Sequence, residues 1–92
     1  MRGFMYYDVH DTAAATQAIQ KFLLEIAYAE DWLPFVSIDG VYGPATRQAV
    51  LSFQKRYGLS PTGTVDRETT LLLHSKYRAA KQKNEALSRR SV

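Results

Sequence analysis

The chain has 92 residues, no cysteine and a formal net charge of +3, which excludes disulfides, thiolate nucleophiles and thiolate zinc sites and leaves one small domain to rest on packing alone. Apolar residues make up 46% of it, enough for a folded core, and no apolar run approaches the ~20 residues that span a bilayer. The charge is uneven: residues 1–75 hold six Lys/Arg against eight Asp/Glu, and residues 76–92 hold six against one, so a mildly acidic domain precedes a basic extension.

The opening residues MRGFMYYDVHD place Tyr6, Tyr7 and Asp8 where a secretory leader needs an unbroken apolar stretch, so an aromatic lead over residues 1–11 is expected in place of a leader. From there Ala15, Ile19, Phe22, Leu23 and Ile26 recur on one helical face, which predicts helix α1 over Thr12 to Ala29, with Asp11 or Thr12 accepting its first N–H groups. Pro34 denies Leu33 helical geometry and leaves YAEDWLPFVS as a polar-aromatic connection. In the following IDGVYGPATRQAV, Gly40 suits a tight turn with positive φ and Gly43 a helix cap. Pro44 suits the first helical position, where a missing N–H costs nothing. Helix α2 is predicted over Pro44 to Tyr57, burying Ala49, Val50, Phe53 and Tyr57, with Gly58 as left-handed terminator and Leu59 making the apolar contact beyond it. Helix α3 is predicted from Arg67 with Leu72, Leu73 and Tyr77 inward. It continues through SKYRAAKQKNEALSRR as a frayed or solvent-exposed end whose apolar face thins to Leu87 beyond Ala80.

A shift of 23 residues lays Gly40, Tyr42, Thr46 and Val50 on Gly63, Val65, Thr69 and Leu73, with Asp66 in the place of Gly43. Each copy reads as a turn glycine, a buried anchor, a cap, and a threonine at the third helical position whose hydroxyl reaches back to the cap N–H. Two such units are too few for a solenoid and predict one compact pseudo-symmetric domain.

The string Asp39-Gly40, Tyr42-Gly43-Pro44, Thr46, Ala49-Val50, Phe53-Gln54, Gly58-Leu59, Gly63, Val65 and Thr69, preceded by Ile19-Gln20 and Leu23, closely resembles the peptidoglycan-binding domain family. These are three-helix modules attached to many cell-wall hydrolases of bacteria and phages. The resemblance covers residues 12–75 and implies a compact all-α, three-helix fold with a non-catalytic role: holding a bearer on the wall through a shallow groove near the Asp39–Arg47 turn. It implies peptidoglycan as partner, by its glycan or its stem peptide, and a wall hydrolase or another protein as a second partner. It implies no cofactor, and a cell-wall or extracellular location. The same module serves as the propeptide of matrix metalloproteinases through a zinc-blocking cysteine, which this chain lacks. The connection after α1 is longer than the family's short glycine turn, and both the 1–11 lead and the 76–92 basic extension lie outside the pattern.

A wall polymer offers sugar faces with C–H bonds, N-acetyl groups and peptide carboxylates, so a binder needs aromatic rings and cations, above all arginine for its bidentate reach. Tyr42 either wedges the fold or presents its ring edge and hydroxyl. Arg47, in the first turn of α2 and directed away from Ala49 and Val50, is either the carboxylate receptor or a solvated arginine. Asp39 either accepts amide and amino donors or closes its own turn. Trp32 is a lid on the core or an exposed stacking platform, while Gln54, Arg56 and Tyr57 complete a polar rim at the far end of α2. His10 and His74 stand apart without paired spacing, so no metal site is expected. Glu30 and Asp31 are adjacent in a connection and lack the separation across a cleft that a glycosidase pair needs. With no Ser-His-Asp arrangement and no phosphate-cradling glycine loop, no catalysis is expected.

Two other functions are read from the same features. An adaptor or scaffold that has lost wall affinity fits the aromatic lead and the basic extension. Nucleic-acid binding is prompted by three helices and the basic extension, but GLSPTGTV between α2 and α3 is about twice the 3–4-residue turn of a helix-turn-helix.

Overall fold

Ile19, Leu23 and Ile26 are almost wholly withdrawn from solvent, which fixes the inward face of α1, Thr12–Ala29. The computed structural model describes residues 12–90. The aromatic lead and the capping roles expected of Asp11 or the Thr12 side chain therefore lie outside the described residues. Helix α2, Pro44–Arg56, brings Ala49, Val50 and Phe53 to the core, and helix α3, Arg67–Arg90, brings Leu73 and Ala80. The described residues form no strand, and α3 is the main packing partner of α1. Leu23 and Phe53, both fully buried, mark the centre; each such side chain contributes about 1.5–3 kcal/mol of transfer free energy.

The helix ends follow the local chemistry. Gly43 caps α2 in an extended conformation without a side-chain bond, and Pro44 occupies the first turn. At the other end Tyr57 is the cap, so the helix stops one residue short of the expected limit, and Gly58 takes φ 73°. The Leu59 N–H donates to Gln54 O at 2.8 Å and the Gly58 N–H to Lys55 O at 3.4 Å, the bond pair of a Schellman ending, with Leu59 packed on the core. Asp66 caps α3: its Oδ1 accepts the Thr69 N–H at 2.9 Å.

The expected threonine-to-cap bonds do not form. The Gly43 N–H instead donates to Val41 O at 3.0 Å, and the Thr46 and Thr69 hydroxyls point inward to glutamines on α1 and α2. A threonine hydroxyl reaches back weakly, and here a stronger amide donor lies on its inner side.

Helix α3 passes residue 76 without a break, and its packing on α1 goes further than its thinning apolar face suggests. Ala80 is buried. Asn84 Nδ2 donates to Glu25 O at 3.0 Å and to Glu25 Oε2 at 2.7 Å. Lys83 Nζ donates to Ala29 O at 2.9 Å and lies 3.6 Å from Glu30 Oε2, placing a cation at the C-terminal carbonyls of α1, where the helix dipole favours it. Both partners of that ion pair are about half exposed, so the pair itself contributes at most about 1 kcal/mol. No described helix is long and apolar enough to cross a membrane.

Between α1 and α2 the chain runs back along α1. Leu33 and Val36 are buried, Trp32 is half-buried, and Gly40 sits beside Ala13 and Gln17.

Asn84→Ala is expected to destabilise the domain by about 1–2 kcal/mol in urea denaturation, because Glu25 loses a donor at both its backbone and its side chain. Lys81→Ala, on an exposed position of the same helix, should stay within about 0.5 kcal/mol.

Candidate functional site

Gln20, on α1, is buried, and its carboxamide is consumed by the turn that enters α2. Nε2 donates to Asp39 Oδ1 (2.9 Å), Val41 O (3.0 Å) and Thr46 Oγ1 (3.0 Å), while Oε1 accepts the N–H groups of Asp39 (3.0 Å) and Gly40 (2.9 Å). Gln54, on α2, treats the turn into α3 the same way. Its Nε2 donates to Thr62 Oγ1 (3.2 Å), Thr64 O (2.9 Å) and Thr69 Oγ1 (3.0 Å), and its Oε1 accepts the Gly63 N–H at 2.9 Å. In both turns the residue before the glycine bonds the N–H two positions on: Asp39 Oδ1 to Val41 at 3.0 Å, Thr62 Oγ1 to Thr64 at 3.2 Å. Gly40 and Gly63 each hold φ 78°, a value that side chains with a Cβ rarely adopt. The 23-residue repeat is thus a repeat of hydrogen bonding.

Tyr42 and Arg47 stitch the two turns together. The Tyr42 hydroxyl donates to Gly63 O at 2.7 Å, and Arg47 Nη1 donates to Thr62 O at 3.2 Å. The Arg47 guanidinium lies over Gly63, where a Cβ would come within 2.5 Å of Nη1. Tyr42, expected as a buried anchor, remains 37% exposed: its hydroxyl reaches across to the second turn, so the ring lies along the surface between the turns. Burial raises the Tyr42 phenol above its ordinary value, and Arg47 opposes that shift. Asp39 is held below the ordinary carboxylate value, first by the Val41 N–H and then by Gln20. Asp66 is lowered by the Thr69 N–H and then by the Thr69 side chain.

Tyr42 and Arg47 therefore meet at the second turn, with Gln54 directly beneath it, while Asp39 stays with the first turn, its Oδ1 taken by Gln20 and the Val41 N–H. Gln54 is completely buried with its carboxamide engaged, so it shapes this surface from inside. Trp32, Arg56 and Tyr57 gather elsewhere, at the C-terminal end of α2, about 15 Å along the axis from Arg47 at 1.5 Å per residue. The Trp32 and Tyr57 rings meet edge to face at 5.8 Å, Arg56 stacks 5.0 Å above Trp32, and Lys76 lies 4.6 Å over Tyr57. Trp32 packs against the core with its Nε1 buried and without a hydrogen-bond partner among the described residues, which matches the lid more than the open platform. Burial and then Glu30 raise the Tyr57 phenol, opposed by Arg56. Shallow depressions elsewhere run along the outer face of α3 between Leu71, His74, Arg78 and Gln82, and none of the seven residues singled out from the sequence lines them.

Sequence reasoning missed the role of Gln20. Its signal was present: a lone amide on the helical face that carries Leu23 and Ala27, matched by Gln54 next to Phe53.

A sequence model of the family described as "Putative peptidoglycan binding domain" matches residues 12–73 of the chain. No curated protein and no solved structure matches it. The matched span contains both turns, both glutamines and the Tyr42 and Arg47 stitches.

Gln54→Leu leaves the Gly63 N–H without its partner and takes from the Thr64 carbonyl the shorter of its two donors, and is expected to cost about 2–4 kcal/mol in urea denaturation, with faster amide exchange at Gly63. Gln48→Ala, at an exposed position six residues earlier on the same helix, should cost less than about 0.5 kcal/mol. The two lowered carboxylates stabilise the fold above about pH 4, the unfolded-chain value, and that contribution is lost as pH falls through their lower folded-state values. The melting temperature should accordingly fall below about pH 4, and the Asp39→Asn, Asp66→Asn double variant should show a shallower fall.

Proposed function

The chain belongs to the peptidoglycan-binding domain family, and we propose that it is a non-catalytic module holding its bearer on peptidoglycan through the surface around the Asp39–Arg47 turn. The observation that carries this reading is the family match over residues 12–73, within which the turn lies. The chemistry of the surface supports it. Arginine has five N–H donors in a rigid fork, and Arg47 is exposed with one nitrogen bonded to Thr62 O. The rest of the fork suits a stem-peptide carboxylate, beside a Tyr42 ring edge suited to a sugar or N-acetyl face. Asp39 adds an exposed acceptor for amide or amino groups. Trp32, Arg56 and Tyr57 form a second surface of the same composition, reached by a polymer long enough to bridge the two; Gln54 contributes by holding the second turn.

A surface this small binds weakly, so retention on the wall depends on many sites along one polymer or on an attached partner such as a wall hydrolase. In this reading the place of action is the cell wall or the space outside the cell.

Co-sedimentation of the folded domain with purified peptidoglycan sacculi, at low and at high salt, tests the proposal. Binding is expected to persist at high salt and to drop at least about tenfold, or 1.4 kcal/mol, in a Tyr42→Phe, Arg47→Ala variant that remains folded. A folded wild-type domain that stays in the supernatant under every condition contradicts wall affinity and favours an adaptor with a protein partner.

A further inference from the structure

The connection after α1 carries an exposed apolar surface that runs up to the turn and includes its Val41. From brace to turn the first unit takes 19 residues, Gln20 to Asp39, and the second takes 8, Gln54 to Thr62. The additional chain in the first unit turns much of its apolar side-chain area outward. Leu33 and Val36 point inward, and the next position at this spacing, Asp39, is tied to Gln20. Phe35, Ile38 and Val41 recur at the same three-residue interval on the outside, 63%, 45% and 64% exposed. From Phe35 to Ile38 the chain is neither helix nor strand, a run of roughly 9 Å at about 3.1 Å per residue, and the bend at Asp39 and Gly40, where Gly40 takes φ 78°, then sets Val41 at its far end. Tyr28 of α1, 62% exposed, joins its start: the Tyr28 and Phe35 ring centroids lie 5.1 Å apart at 52°. Each ring limits the motion of the other, which lowers the ordering cost of binding.

We propose that the stripe Tyr28, Phe35, Ile38 and Val41 is a platform for the sugar backbone of the wall polymer, leading into the Asp39–Arg47 turn, which is left to receive the stem peptide. This rests on the wall-binding reading above and divides its ligand between two surfaces. The stripe contains no cation and suits C–H faces and acetyl methyls, whereas the carboxylates of a stem peptide find their cation, Arg47, beyond its Val41 end. Its four side chains offer roughly 400–500 Å² of exposed surface, in the range of functional patches on monomers and short of the ~800 Å² per partner of a stable protein interface. That area, and the lack of a cation among the four side chains, favour a sugar polymer over a second copy of the chain. With no strand among the described residues, an extended peptide has no sheet edge on which to pair.

The test compares intact sacculi with glycan strands stripped of stem peptides by an amidase, using the wild type and a Tyr28→Ser, Phe35→Ser variant checked for an unchanged melting temperature. Binding of both materials by the wild type, with affinity for the stripped strands at least about tenfold lower in the variant, supports the platform. Wild type that sediments with sacculi but ignores stripped strands, or a variant that binds them equally well, overturns the platform and leaves the wall-binding reading standing. Wild type that fails to sediment with sacculi overturns both. A wild-type dimer in sedimentation velocity that becomes monomeric in the variant makes the stripe an interface between copies and also overturns the proposal. Val41→Ser, six residues along the stripe from Phe35, supplies the same comparison if the double variant misfolds.

Discussion

A turn that feeds directly into a helix leaves several backbone N–H and C=O groups facing the protein interior, and here those groups are met by two glutamine carboxamides, Gln20 and Gln54. Only a carboxamide of this length supplies an acceptor and a two-hydrogen donor at one point. Glutamate lacks the donor, leucine lacks both, and asparagine is one methylene shorter. With the carboxamides in place, Gly40 and Gly63 hold positive φ, Thr46 and Thr69 are drawn inward at the third position of their helices, and α2 and α3 start at fixed places relative to α1 and α2. A chain without disulfides thus fixes its two least regular segments by buried hydrogen bonding, which is costly to leave half-made and so specifies one arrangement.

The surface follows from that skeleton. Because the two turns lie side by side, Tyr42 and Arg47 from the first can reach Gly63 and Thr62 of the second, and the residues that close the fold are also those left facing solvent. Tyrosine and arginine are suited to both tasks, since each spends one polar atom inside and keeps a ring edge or further donors outside. The stripe from Tyr28 to Val41 depends on the same brace, because Gln20 pins Asp39 and thereby the far end of the connection that carries it.

Much of the fold was legible because its signals are local. Gly43-Pro44, Tyr57-Gly58-Leu59 and Asp66 mark helix ends through the behaviour of single residues, and the observed ends lie within one residue of those marks. The pseudo-repeat was visible as letters, but its cause was hidden: Gln20 and Gln54 lie 34 positions apart while the turns repeat every 23, since the first unit carries the longer connection. Trp32 could not be placed from sequence, because whether a loop tryptophan covers the core depends on Arg56 and Tyr57 arriving from another helix. The reach of α3 was hidden for a similar reason. Past Ala80 its attachment to α1 runs through Asn84 and Lys83, polar residues to which hydrophobic periodicity is blind.

The measurement that bears most directly on a wall-binding surface at the paired turns is an amide chemical-shift map recorded while soluble muropeptides are added to the folded domain. The account predicts concentration-dependent shifts concentrated at residues 39–47 and 62–66, the two segments joined by Tyr42 and Arg47. Shifts confined to the outer face of α3, or a spectrum unchanged at saturating muropeptide, would contradict it.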